Sequence, residues 1–521
     1  AATPAVAYFL DQDETIQLLA RAYTQVGLRT QDSDGFTFPE TPAGRLIQQR
    51  NLLELELAHD LDDLFHPPGI SGISYRLRYK GVYEGVYDYG PDEYSEQVET
   101  NPPSPFDPGA PDESRTNHRT RVLRHSLGSR HELWNAYAQG ESGPLFVRLG
   151  RQDLSWGETD GFRLLDMIEP LDNRFGLPLV EDLDDRRIPL WMARGSLALP
   201  WHGPEVSNLV LEGYLVPGAI EDQEAPLAPR GSPFAAPAPP SFFGRVVTVP
   251  GRQMANSRGG GRLIATLFGN ATATLAHYVT RNDAPAVRAY VGGVDFVDAR
   301  PVPDVALQFA FYRQQVTGAS YTMQLAPIDT VLRTEVAMFW DERVLIPREA
   351  GLTPDRLPGV IGAAIADRAA GGPGIAGGRF SERDVFRWVA GFDRFLWIRP
   401  LNPTNVFSVS GQLFHTHVLD HSDEIVNGIV DADTGSFVER KADELTMTLL
   451  ARSLFWRGRL EPQVFSAYDP RGVWSVVPGI TWIVGSHVRL TAKYAYVAGN
   501  FVNLGFFRDR DEALFRAEVS L

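Results

Sequence analysis

Apolar and polar side chains alternate along most of this chain. Over 144–152, Leu145, Val147 and Leu149 fall on one face and Phe146, Arg148 and Gln152 on the other. Period-two alternation with one apolar face predicts a half-buried β-strand. The same reading predicts strands at 15–28, 46–58, 72–88, 133–139, 144–152, 188–199, 207–216, 261–268, 271–280, 304–326, 331–340, 384–397, 404–418, 442–456, 458–468, 473–484, 487–497 and 513–521, eighteen in all. In the first, Leu18, Ala20, Ala22, Val26 and Leu28 oppose Gln17, Arg21, Tyr23 and Gln25. In the second, Leu53, Leu55 and Leu57 oppose Glu54 and Glu56; in the third, Tyr75, Leu77, Tyr79 and Tyr83 oppose Arg76, Arg78 and Lys80. The second strand thus offers carboxylates where the third offers cations, a charge ladder if the two are neighbours.

The connections alternate in length. Long ones at 29–45, 89–130, 153–187, 217–260, 281–303, 341–383, 419–441 and 498–512 interleave with short ones at 140–143, 200–206, 269–270, 327–330, 398–403, 457 and 485–486. Two depart from the rule: 59–71 is long for its rim and 469–472 short for its own. Short turns on one rim and long loops on the other mark an outer-membrane barrel. The expected fold over 1–521 is therefore all-β: a single transmembrane antiparallel β-barrel of eighteen strands, or sixteen if boundaries are misplaced, with long extracellular loops. The loops 217–260, rich in Pro, Ala and Gly, and 341–383, with a short helix near 360–370, are expected at the surface. Aromatics near strand ends (Trp340, Trp388, Trp397, Trp456, Trp474, Trp482, Tyr494 and Tyr496) fit interfacial girdles. The segment 263–280 carries no formal charge, but its Asn270, His277 and Gly269-Asn270 turn read as a hairpin, not a membrane helix. The last strand alternates Phe515, Ala517, Val519 and Leu521 with Arg516, Glu518 and Ser520.

The connection 153–187 has two characters. It is dense in charge, yet it holds Phe162, Leu164, Leu165, Met167, Ile168 and Leu171. It is too polar for lipid and too charged for a dry core. Folded inward as a plug, it would pack its apolar residues together and pair its charges with the wall. The candidate plug residues are Arg151, Asp153, Trp156, Glu158, Asp160, Arg163, Asp166 and Asp172, with Arg148 and Arg151 placed to meet Asp153, Glu158 or Asp160. This stretch also resembles a known family. Leu149-Gly150-Arg151-Gln152, then Trp156-Gly157-Glu158, Asp166, Pro170 and Asp172, are similar to domain of unknown function 1302, a Gram-negative outer-membrane barrel family. Phe386-Arg387-Trp388 through Trp397-Ile398-Arg399, and Ser410-Gly411-Gln412-Leu413-Phe414, resemble its later hairpins. The resemblance implies fold and location and brings no activity with it.

Composition narrows the function classes. The formal charge is −16, against a nucleic-acid binder, which needs a basic footprint. Cysteine is absent, which removes disulfides, thiolate metal sites and cysteine nucleophiles. The opening residues lack a basic leader region, so a signal peptide is expected to have been removed before the protein reaches the outer membrane. Gly372, Gly374 and Gly377 match a dinucleotide fingerprint in letters but lack its strand–helix context. His415 and His417 share a strand face without a spaced carboxylate, a poor metal site. No catalytic motif appears, so no enzyme, cofactor or metal is expected.

The expected pore-lining set is Arg21, Glu54, Glu56, Arg76, Arg78, Arg148, Arg333, Glu335, Arg387, Arg452, Glu461, Arg489, Lys493, Arg516 and Glu518. Cations dominate this wall, which favours anions or amphipaths with acidic heads. A porin-like channel or transporter for small, or hydrophobic or anionic, solutes is the first reading. The second is a plugged structural barrel whose loops or rim dock envelope proteins. Outer-membrane lipid is a partner in both.

Overall fold

The computed structural model describes residues 8–32, 41–65, 67–91, 94, 128–174, 176, 180–201, 203–221, 223, 225–226, 228, 232–234, 244–248, 250–297, 300–372, 377–431 and 433–521. Eighteen strands form the wall: β1 (Ile16–Arg29), β2 (Leu46–Asp60), β3 (Ser71–Glu84), β4 (Ser129–Ser142), β5 (Leu145–Gln152), β6 (Leu190–Ala198), β7 (Val206–Val216), β8 (Arg258–Leu267), β9 (Ala271–Arg281), β10 (Arg313–Leu325), β11 (Thr330–Val344), β12 (Ser381–Leu396), β13 (Phe407–Val418), β14 (Asp443–Ser453), β15 (Leu460–Asp469), β16 (Val473–Val484), β17 (Val488–Gly499) and β18 (Glu512–Ser520). Each pairs antiparallel with its chain neighbours, and β1 pairs with β18 from Arg21↔Ser520 to Arg29↔Glu512, which closes the sheet. Tyr8–Phe9 adds a two-residue strand at Gln17 and Leu18 of β1, just past the end of β18. Closure leaves no unpaired edge in the wall, a condition for crossing lipid with strands.

Exposure follows the alternation with the sign of a membrane wall. On β2, Leu53 and Leu55 are 43% and 39% exposed, whereas Glu54 between them is 4% exposed. A water-soluble sheet hides the leucines. Here the apolar face turns outward, as Leu149, Leu211 and Leu275 do on other strands. Exposed aromatics mark the two ends of this band: Trp340, Trp474, Tyr494 and Tyr496 towards the long-loop end, Trp397, Trp456 and Trp482 towards the short-turn end. Trp474 and Trp482 lie on β16, eight residues apart, which is about 27 Å of strand at ~3.4 Å per residue. After strand tilt this is close to the apolar height of an outer-membrane barrel. Among the described residues no helix is long and apolar enough to cross a membrane.

The expected segment 304–326 is two strands. Arg300–Ala310 pairs with Ala286–Val297 in a hairpin that stands outside the wall, and Gly244–Thr248 adds to it in parallel. Only Arg313–Leu325 belongs to the barrel. The break falls at Phe311 and Tyr312, both buried, where no Gly or Pro marks a turn. The long connection is thus 282–312 rather than 281–303. The 341–383 loop carries a helix, Leu357–Ala369, which packs against this hairpin, and the Ala289 N–H donates to the Ala350 carbonyl at 3.0 Å. The helix precedes the glycine-rich stretch and a strand follows it, the reverse of a dinucleotide site; Gly374 lies outside the described residues. The remaining expected strands match to within a few residues, including the hairpin at Gly269-Asn270.

Candidate functional site

β5 leads into the inward-folding segment through Gly150. Its φ of +131° and the approach of the Ala136 carbonyl, 2.2 Å from where a Cβ would stand, exclude any side chain there. Gln152, fully buried, donates to the Met192 carbonyl at 3.1 Å. Beyond it the chain leaves the wall and enters the barrel. Trp156 packs edge-on against Tyr214 and Tyr278, with ring centroids 5.2 and 5.6 Å away, under the Arg262 guanidinium. Leu154, Trp156, Leu164, Leu165 and Ile168 form one apolar cluster with inward residues of β6 to β13. Gly318 on β10 makes room for it: an added Cβ would sit 2.5 Å from the Leu165 side chain. The Tyr278 hydroxyl donates to the Leu165 carbonyl (2.7 Å) and the Thr280 hydroxyl to the Met167 carbonyl (2.7 Å). Wall residue Glu335 accepts the Leu165 N–H at 3.1 Å and also the Glu158 N–H.

The charged residues then pair across the bore. Arg333 holds Asp160 at 2.5 Å and Asp393 at 2.7 Å. Arg187 binds Asp166 through both nitrogens (2.5 and 3.0 Å) and Glu169 at 3.0 Å. Burial pushes the Glu169 carboxyl up, to about 8, with Arg187 pulling the other way. Burial would also raise Asp172, but Arg174 and Arg130 outweigh it and hold that carboxyl well below the usual range. Asp172 N–H bonds to the Arg186 carbonyl and Ile188 N–H to the Pro170 carbonyl, which pinches off 172–186 as a sub-loop. Its tip crosses to the opposite wall. Asp185 receives both Arg21 nitrogens (2.6 and 3.2 Å), Glu181 receives Gln25 (2.8 Å), and Asp182 meets Lys493 (3.3 Å). Arg516 touches Glu181, Asp182 and Asp185 at 3.4, 3.1 and 3.5 Å. Asp185 is held low despite its burial by Arg21 and Arg516.

Below this tip, on the short-turn side, lies a cavity of about 680 Å³. Its cations are Arg21, Arg78, Arg452, Arg489, Lys493 and Arg516; its wall carboxylates are Glu54, Glu56, Glu461 and Glu518. The tip adds Asp182, Asp184 and Asp185, so six cations face seven carboxylates. A basic wall is thus neutralised by the segment. The β2–β3 ladder forms as the alternation implied: Arg78 meets Glu54 (3.5 Å) and Glu56 (3.7 Å), and Arg76 meets Glu56 (3.2 Å). Arg452 pairs with Glu461 at 3.6 Å and Arg387 with Glu342 at 2.6 Å.

The expected pairings of Arg148 and Arg151 differ. Arg148 does not reach the segment's acids; it donates to Gln139 at 2.9 Å and stacks on Tyr137. Arg151 has outward parity and pairs with Glu132 at 3.6 Å instead. Asp153 binds Asn135 (3.0 Å), the Glu158 side chain is exposed, and Arg163 reaches Asp283. His415 and His417 do find a carboxylate, Asp443, 3.0 and 2.8 Å away on the outer face; strand spacing alone hid this cross-strand neighbour. Alternation also left unflagged the buried wall carboxylates Glu212, between Arg194 and Arg262, and Glu342, between Arg387 and Arg440. Inward parity on β7 was a usable signal for Glu212, but a bulge between Phe339 and Glu342 reverses the alternation on β11, so parity alone placed Glu342 on the outer face.

A closed wall with an apolar exterior and a charged, hydrogen-bonded interior defines a large transmembrane β-barrel of the outer-membrane type. Within that class the chain belongs to the DUF1302 family, described as protein of unknown function, whose model matches residues 1–521. No curated protein matches it. Among solved structures it is similar to Acinetobacter baumannii OccAB1, at 10% identity over 99% of this chain and 98% of that one, with a TM-score of 0.47. It is likewise similar to Pseudomonas aeruginosa OccK9 (OpdG), at 10% identity over 98% of each chain, TM-score 0.47.

Proposed function

We propose that this protein is a porin-like channel or transporter of the Gram-negative outer membrane, delivered there by a removed signal peptide. It moves a small anionic or amphipathic solute, and 153–187 is its plug. The observation that carries this reading is the cavity of about 680 Å³ in a basic wall, capped by the acidic tip of that segment. A scaffold has no need of a hydrated, charge-lined chamber inside its bore. The pore-lining role falls to Arg21, Arg78, Arg452, Arg489, Lys493 and Arg516 with Glu54, Glu56, Glu461 and Glu518, all on its lining. Planar-bilayer recording tests it. Wild type should pass small currents, and deletion of 160–183 should raise conductance severalfold with the barrel still heat-modifiable on gels. Absence of current from both proteins overturns the channel.

One observation favours the second reading, a sealed barrel that docks envelope proteins. Leu165 and Ile168 are 1% and 2% exposed, in an apolar cluster packed against inward residues of the wall. A sealed barrel predicts that deletion opens a pore which the intact protein never shows.

A further inference from the structure

The contacts of the segment's tip separate five of the cavity's six cations into two kinds; the sixth, Arg489, makes no ion pair among the described residues. Arg21, Arg78 and Arg452 each keep a wall carboxylate within 4 Å: Glu54 and Glu518, Glu54 and Glu56, and Glu461. Arg516 and Lys493 do not. Among the described residues, every carboxylate that reaches them comes from the tip: Glu181, Asp182 and Asp185 for Arg516, Asp182 for Lys493. Asp182 and Asp185 both lie on the same Arg516 nitrogen, at 3.1 and 3.5 Å, so their oxygens are no more than about 6.6 Å apart. Two carboxylates at that separation, held by a guanidinium and an ammonium on adjacent strands, have the shape of a bound short dicarboxylate. Asp182 is the labile member, its side chain 55% exposed, and exposed ion pairs hold weakly.

We propose that the tip is an internal stand-in for a ligand: a small organic dianion binds Arg516 and Lys493 by displacing Asp182 and Asp185, and that exchange frees the plug. This rests on the channel reading above. The exchange conserves charge pairing at the two cations, so the cost of stranding them is avoided. The incoming dianion also repels Asp184, which lines the cavity without an ion-pair partner among the described residues. A monoanion replaces one tip carboxylate and leaves the other in place, which sets the class. The ligand shifts the plug only as far as it binds the released form better than the docked one.

The chain contains no cysteine, so Asp184→Cys supplies a single thiol on the tip. Labelling by a membrane-impermeant maleimide should accelerate severalfold with succinate but not with propionate or chloride at matched ionic strength. Arg516→Gln and, separately, Lys493→Gln should raise basal labelling and abolish the succinate response; heat-modifiability confirms that each barrel assembles. Equal labelling in succinate and propionate overturns the proposal, as does a succinate response that survives both substitutions. Parallel bilayer recordings separate the two readings. Chloride current without a succinate effect on labelling leaves a channel with no ligand exchange. A succinate effect on labelling with no current in the 160–183 deletion leaves an anion site without a channel.

Discussion

Replacing Arg187 with Met should release the 153–187 segment. Arg187 is 7% exposed and is bound to Asp166, 4% exposed, and Glu169, wholly buried. Met fills the volume but strands the Asp166 carboxylate and leaves the Glu169 carboxyl, among the described residues, with the Leu154 N–H. Breaking a buried pair by removing one partner costs about 3–5 kcal/mol. Proton uptake by Glu169, whose carboxyl burial already pushes upward, relieves part of it. At about 1.4 kcal/mol per decade the docked-to-released ratio falls some 10²- to 10⁴-fold. Chymotrypsin digestion of the refolded barrel in detergent reads this as the rate of cutting within 153–187. The triple variant Asp166→Asn, Glu169→Gln, Arg187→Met removes all three charges and should recover most of the loss, because a buried triad replaced by neutral groups is close to energetically even. If the single variant is cut no faster than wild type, the triad does not hold the segment. If the triple variant is cut as fast as the single one, stranded charge is not the cause.

Other outcomes follow from the same geometry. Docking should be tightest at intermediate pH: Asp172 and Asp185 have depressed carboxyls, so their contribution is full above the ordinary carboxylate range and is lost as pH falls below it through their lowered values. Glu169 is raised to about 8, so its contribution is lost as pH climbs from about 5 through 8; cutting rates against pH should give a trough, and a monotonic curve refutes the assignment. Glu54→Lys places a cation against Arg21 and Arg78, 3.4 and 3.5 Å from the present carboxylate, and should raise anion preference while lowering the urea midpoint of unfolding. Gly150→Ala meets the Ala136 carbonyl and should reduce the heat-modifiable fraction after refolding, whereas Gly143→Ala, in an open turn with nothing within 4 Å, should cost far less.

Strand positions were legible because lipid outside and water inside enforce a strict two-residue period, and a register slip would reverse every side chain. The turn at Gly269-Asn270 was legible because tight turns favour such residues, although the connection is three residues long, 268–270, with Phe268 and Gly269 at positive φ. The outer hairpin was not: Arg300–Ala310 alternates as a wall strand does, and Phe311-Tyr312 gives no punctuation. The double character of 153–187 set it apart from the wall strands, and the family-like residues Gly150, Gln152, Trp156 and Asp166 are among those whose close approaches and contacts hold it. Its partners were not legible, since Asp160 with Arg333 or Asp185 with Arg21 join positions over a hundred residues apart. Alternation tells which face a residue takes; only the curvature of the closed wall tells which faces oppose each other.

The closure between β1 and β18 has a consequence for biogenesis. Its two sides are the first and last strands of the wall, so it joins positions further apart in sequence than any other wall pairing and carries the largest loop-closure cost. Asp185 spans that seam, joined to Arg21 on one side and Arg516 on the other. Until both terminal strands are in place, the tip lacks half of its counter-charges and has nowhere to settle. Closure of the wall is therefore expected to precede docking of the tip, so an unzipped intermediate should be cut within 172–186 faster than a finished barrel.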